Sequence, residues 1–101
     1  MDYLEKGVFI MKFVYPAVFS KIESGLYRGT FPDLDCCYGE GETLDEAIEK
    51  ANEAAYTWIE LELAEGEDLP PITEISDIPL KEGEIIRNIS VNIRFTDGWD
   101  E

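Results

Sequence analysis

Across residues 31–43, FPDLDCCYGEGET, carboxylates and thiols crowd together: Asp33, Asp35, Glu40 and Glu42 flank the adjacent pair Cys36 and Cys37. Oxygen donors in such number suit a hard cation such as Mg²⁺ or Ca²⁺, and thiols suit Zn²⁺ or redox exchange. The spacing argues against each. The acids do not follow the order of an EF-hand loop, and in a chain with 23 Asp and Glu among 101 residues some clustering follows from composition alone. Adjacent cysteines in extended backbone point to opposite faces, which fits neither a two-thiol zinc clasp nor a Cys-x-x-Cys pair. Both are read as buried structural thiols. Histidine is absent, which removes the commonest general base and the Ser-His and Cys-His nucleophile pairs. The chain is therefore read as no enzyme, with no catalytic residue, no metal and no cofactor. A metal-dependent hydrolase built on Asp33 and Asp35 is the least supported of three readings.

Charge narrows the remaining classes. Eight Lys and Arg stand against the 23 acids, a formal net charge of −15, and so acidic a domain repels phosphate backbones. Direct nucleic-acid binding is not expected; a basic protein partner is. The plainer reading is that the charge keeps the protein soluble. With 45% apolar and 12% aromatic residues the chain carries enough apolar surface to fold, and its length suits one small domain. No apolar run approaches the ~18 residues a membrane span needs. The N-terminus lacks the pattern of an export signal, and with two cysteines the setting is expected to be reducing and cytoplasmic, with no membrane partner.

These side chains must be held by a few short elements. Residues 1–10 read as an N-terminal extension, Met11 being a second candidate start, 11–95 as the domain and 96–101 as an acidic C-terminal tail. MKFVYPAVFSKI, residues 11–22, reads as a strand with Phe13, Tyr15, Ala17 and Phe19 on one face. Pro16 places it at an edge or a bulge. Gly25 turns the chain into a second strand within LYRGTF, and Pro32-Asp33 marks a further turn. A brief third strand is expected over Cys36–Gly39, with Gly39 and Gly41 bending the chain into a helix from Leu44 to about Ala64. Thr43 caps that helix, with Glu46 three residues on. Leu44, Ile48, Ala51, Ala55, Trp58 and Ile59 form its inner stripe, and Asp45, Glu49, Glu53 and Glu60 its negative outer face. Trp58 reads as core rather than as a ligand platform. Gly66 closes the helix, residues 67–79 form a proline-containing crossover, and Glu84–Phe95 alternates as a last strand with Ile85, Ile89, Val91, Ile93 and Phe95 inward. The expected fold is α+β, β-β-β-α-β, a small mainly antiparallel sheet with one helix on one face. Apolar residues on both faces of the first strand, Val14 and Val18 opposite Phe13, Tyr15 and Phe19, predict self-association through the sheet.

YPAVF at 15–19, the run from Gly25 to Glu60, and the crossover with its final strand resemble the HicB-type antitoxins. The most specific part is Phe31, Pro32, Asp33, Leu34, Cys37, Gly41, Thr43 and Trp58. Asp35 and Cys36 depart from the pattern, where that family typically has Pro-Gly. The resemblance implies a partial ribonuclease-H-like fold of three strands, a helix and a fourth strand, without ribonuclease activity. It also implies a role, binding and masking HicA, a small basic messenger-RNA-cleaving toxin with a double-stranded-RNA-binding-like fold. Many members carry a C-terminal DNA-binding module; here the chain ends at Glu101 on an acidic stretch, which favours a single-domain member. Physics and resemblance agree that a negatively charged competitor can occupy the toxin's cationic surface. The surface expected to do so is an acidic rim of Asp33, Asp35, Glu40, Glu42, Asp45 and Glu49. The third reading is an orphan interaction or dimerisation module of the same fold.

Overall fold

The computed structural model describes residues 8–96; the parts of the expected extension and tail at 1–7 and 97–101 lie outside the described residues. Four strands, β1 (Val8–Lys21), β2 (Tyr27–Thr30), β3 (Tyr38–Gly41) and β4 (Ile85–Thr96), form an antiparallel sheet in the order β3-β2-β1-β4, and one helix, α1 (Leu44–Ala64), packs on it. The expected element order and fold class hold. The first strand starts earlier than expected, because Val8–Ile10 continue the ladder against Arg94–Thr96.

Period-two alternation sets the faces. On β1, Tyr15, Ala17 and Phe19 are buried and Phe13 packs against them; on β4, Ile89, Val91 and Ile93 complete the floor. Ile85, expected inward, is exposed at the start of its strand. The helix lays Ala47, Ala51, Ala55 and Ile59 on this floor. Three alanines at four-residue spacing keep that stripe low, so the backbone comes close to the sheet. At its N-terminus the Thr43 hydroxyl accepts from the Glu46 N–H at 3.1 Å. Glu46 in turn accepts from the Glu42 N–H at 2.6 Å, one residue earlier than in a standard capping box. Gly66, at φ 76°, closes the other end. Its N–H donates to the Leu63 carbonyl and the Glu67 N–H to that of Glu62, the bond pair of a Schellman motif.

Two expectations need correction. The third strand lies at Tyr38–Gly41, not Cys36–Gly39, because Cys36 sits at φ 61° in a turn, a conformation that no strand continues. Gly39 and Gly41 do not act as bends, for neither has a positive φ. A Cβ on Gly39 would run into the Ala51 backbone, and one on Gly41 would lie 2.7 Å from the Ala47 nitrogen. These glycines let β3 approach α1.

The crossover is a strap rather than a loose tether. The Tyr15 hydroxyl donates to the Pro70 carbonyl at 2.6 Å, and Asp33 accepts from Thr73. Ile72–Ile75 then share a shallow cavity with Val14 and Asn88, on the sheet face turned away from α1. Pro16, between them on that face, is fully buried. A single 3₁₀ turn, Ile75–Asp77, follows before the chain enters β4.

Candidate partner-binding surface

The stretch 31–37 folds as a knot of short backbone bonds: Leu34 N–H to the Phe31 carbonyl, Cys37 N–H to that of Leu34, and Phe31 N–H to that of Cys37. Phe31, Leu34 and Cys37 point into the core. Burial pushes the Cys37 thiol up to about 11, which keeps it a neutral core group. Cys36 is exposed, contrary to the expectation that both thiols are buried. Trp58 is half-buried against the core, and its indole N–H donates to the Asp35 carbonyl at 2.9 Å, tying α1 to the turn.

The six rim carboxylates fall in different places. Asp33 is half-buried, with both oxygens held by Thr73 at 2.9 and 2.5 Å; its charge and the loss of solvent push the Tyr15 phenol upward, burial being the larger cause. Glu40 lies on the sheet face away from α1, paired with Arg28 at 2.5 Å, and the Arg28 guanidinium also sits 5.3 Å from the centre of the Tyr38 ring. Asp35 is exposed on the turn. Only Glu42, Asp45 and Glu49 fall together, at and beyond the helix N-terminus, all exposed.

Those three continue along α1. At steps of three and four residues come Glu53, Tyr56 and Glu60, all exposed and on the side opposite the buried alanines. Lys50, 4.0 Å from Glu53, is the cation paired with this stripe among the described residues; at such exposure the pair contributes little. Tyr56, at 38% exposure, gives the stripe an aromatic centre. It is not among the residues singled out from sequence, although its offset of three from Glu53 and four from Glu60 places it on the same side of the helix. The described residues contain no group of three or more His, Cys, Asp or Glu placed to hold a metal ion, and no described helix is long and apolar enough to cross a membrane.

A sheet with a helix on one face and a strap across the other, carrying an acidic stripe along the helix, defines a small α+β domain with one strongly negative side. The chain belongs to the HicB-like antitoxin family: the family described as "HicB_like antitoxin of bacterial toxin-antitoxin system" matches it over residues 15–95. It is 31% identical over 86 residues to Antitoxin HicB 1 of Photorhabdus laumondii, an alignment covering 76% of this chain and 56% of that protein. The chain thus spans little more than half the length of that relative. Among solved structures, the N-terminal domain of the Burkholderia pseudomallei antitoxin HicB superposes with a TM-score of 0.68 at 26% identity, covering 78% of this chain and 98% of that one. A chain from a HicA3 and HicB3 toxin-antitoxin complex superposes with a TM-score of 0.58 at 34% identity, covering 76% and 95%.

Proposed function

We propose that the chain is an antitoxin that captures a small basic RNA-cleaving toxin of the HicA type and shields its cationic surface from RNA. Family membership and the likeness to a chain of a HicA3 and HicB3 complex support this reading. The observation that carries it is the stripe Glu42, Asp45, Glu49, Glu53, Tyr56 and Glu60 on one exposed side of α1. Opposed charge accelerates encounter and sets register, and an aromatic side chain amid charged groups is a common binding anchor. Of the six rim residues, Glu42, Asp45 and Glu49 belong to this surface, while Asp35 lies exposed on the turn tied to Trp58. Asp33 and Glu40 serve the fold through Thr73 and Arg28.

The domain acts by binding rather than catalysis, does not itself contact nucleic acid, self-associates, and works in the cytoplasm. The toxin encoded beside its gene, purified and mixed with the antitoxin, is expected to form a complex and to lose RNA cleavage stoichiometrically. A basic neighbour that neither binds nor is inhibited would leave the orphan-module reading in its place.

A further inference from the structure

The strands β1 and β4 pair over twelve positions, from Val8↔Thr96 to Phe19↔Ile85, yet β2 covers β1 only at Val18–Lys21. Among the described residues the outer part of this pair is a two-stranded ribbon with no third strand beside it. Such a ribbon is marginal in water, and among the described residues the outer edge of β1 has no neighbouring strand to pair its backbone groups. The strap shields the middle of the ribbon at Val14, Pro16 and Asn88 but does not reach its end. There Ile10 is 65% and Met11 47% exposed, and as neighbours in a strand they present apolar surface on opposite faces.

Charge separates the paired segments of this ribbon from α1 and the stretch 31–43. None of the 23 acids falls within Val8–Lys21 or Ile85–Thr96, whereas Lys12, Lys21, Arg87 and Arg94, half of the eight cations, do. In a two-fold contact each surface meets its own copy, so in a chain of charge −15 most surfaces would set carboxylate against carboxylate. The paired segments themselves carry no acid to do so, the acidic tail beginning only after Thr96, and their cations make them a poor seat for a basic toxin.

We infer that two copies of this chain join through the outer edge of β1, the segment around Ile10 and Met11 of one copy running antiparallel to the same segment of the other. This places the self-association of the proposed function at a definite edge and rests on that reading only for the claim that α1 faces the toxin. Both apolar side chains are covered in the dimer, the ribbon gains further strands, and the acidic stripe of each copy stays open.

The double variant Ile10→Glu/Met11→Glu is the direct test. Sedimentation equilibrium at about 100 µM is expected to give a dimer for the native chain and half that mass for the variant, with an unchanged far-UV spectrum. A second variant guards against misfolding: Met11→Cys in a Cys36→Ser background is expected to form an interchain disulfide under mild oxidation. A monomeric native chain, a double variant that remains dimeric, or a Met11→Cys chain that folds but does not cross-link would each overturn the inference. Toxin capture distinguishes the two readings: a monomeric variant that still binds toxin supports separate surfaces, whereas a dimer that binds none refutes the antitoxin reading alone.

Discussion

Thr73 holds both oxygens of Asp33 across 40 residues of sequence, its N–H at 2.9 Å from one and its hydroxyl at 2.5 Å from the other. This clamp ties the 31–37 turn to the strap just beyond Pro70, whose carbonyl takes the Tyr15 hydroxyl. An acid placed by sequence in a binding rim is thus a structural acceptor. Hydrogen bonds to a charged group contribute about 1.5–3 kcal/mol, so Asp33→Ala is expected to lower urea-unfolding stability by roughly that amount. Thr73→Val, which keeps the N–H donor, should cost less. Equal stability of Asp33→Ala and the native chain would show that the strap is held by burial alone.

The close approach of β3 to α1 makes a second expectation. Gly39→Ala sets a Cβ against the Ala51 backbone, which cannot move without the helix. Overpacking of this kind costs about 1–3 kcal/mol. Gly25, at φ 94° with open space around it, is constrained by its backbone angle instead, so Gly25→Asn should be tolerated far better than Gly39→Ala. A Gly39→Ala protein melting at the native temperature would disprove the close contact.

Cys36 explains a departure from the family pattern. It occupies a left-handed backbone conformation at φ 61°, where the resemblance places a glycine, and for a residue with a Cβ that conformation costs roughly 1–2 kcal/mol. Cys36→Gly is expected to stabilise the fold by up to about 1 kcal/mol, the relief of strain being partly offset by a more flexible unfolded chain. Cys36→Val should destabilise it.

Cys37 sets an alkaline limit. Its folded pKa is about 11 against an ordinary 9.0, so between those values the unfolded chain has lost a proton that the folded chain keeps. Stability therefore falls as pH rises through this window and is fully present below it. The raised Tyr15 phenol acts with the same sign above its ordinary value. Urea midpoints measured from pH 8 to 11 should decline for the native chain and flatten for Cys37→Ala, whose stability at neutral pH is lower by about 1–3 kcal/mol. A slope unchanged by that substitution would assign the alkaline loss elsewhere.

Local chemistry made most of the fold legible. Thr43, the alanine stripe and Gly66 define α1 to the residue, and the alternation of Ile89, Val91 and Ile93 defines the inner face of β4. What escaped was long-range. Nothing near Asp33 announces Thr73, and nothing near Gly39 announces the Ala51 backbone, so an acceptor read as a rim charge and a contact glycine read as a bend. Glu40 and Glu42 are close in sequence, but Glu40 projects with Arg28 from the sheet face away from α1 while Glu42 begins the helix. Proximity in sequence does not give these two acids a shared surface.

The acidic stripe yields the sharpest functional test, because charge and contact should separate kinetically. Replacing Glu42, Glu49, Glu53 and Glu60 with Gln leaves the caps and the core untouched, so each change should alter stability by no more than about 0.5 kcal/mol. Association with a basic toxin should slow about tenfold at low salt and lose most of its salt dependence, since distant charges act mainly on encounter. Tyr56→Ala should do the opposite, leaving the on-rate near native while raising the off-rate on the order of thirtyfold, as expected for a buried aromatic anchor. The pair Asp33→Asn/Glu40→Gln serves as the contrast: it removes two acids held by Thr73 and Arg28 and should affect stability more than binding rate. Stopped-flow association at two ionic strengths distinguishes these outcomes. If the pair slowed capture more than the four stripe substitutions, the contact would lie on the turn and the β2–β3 face, and α1 would be only the wall behind it.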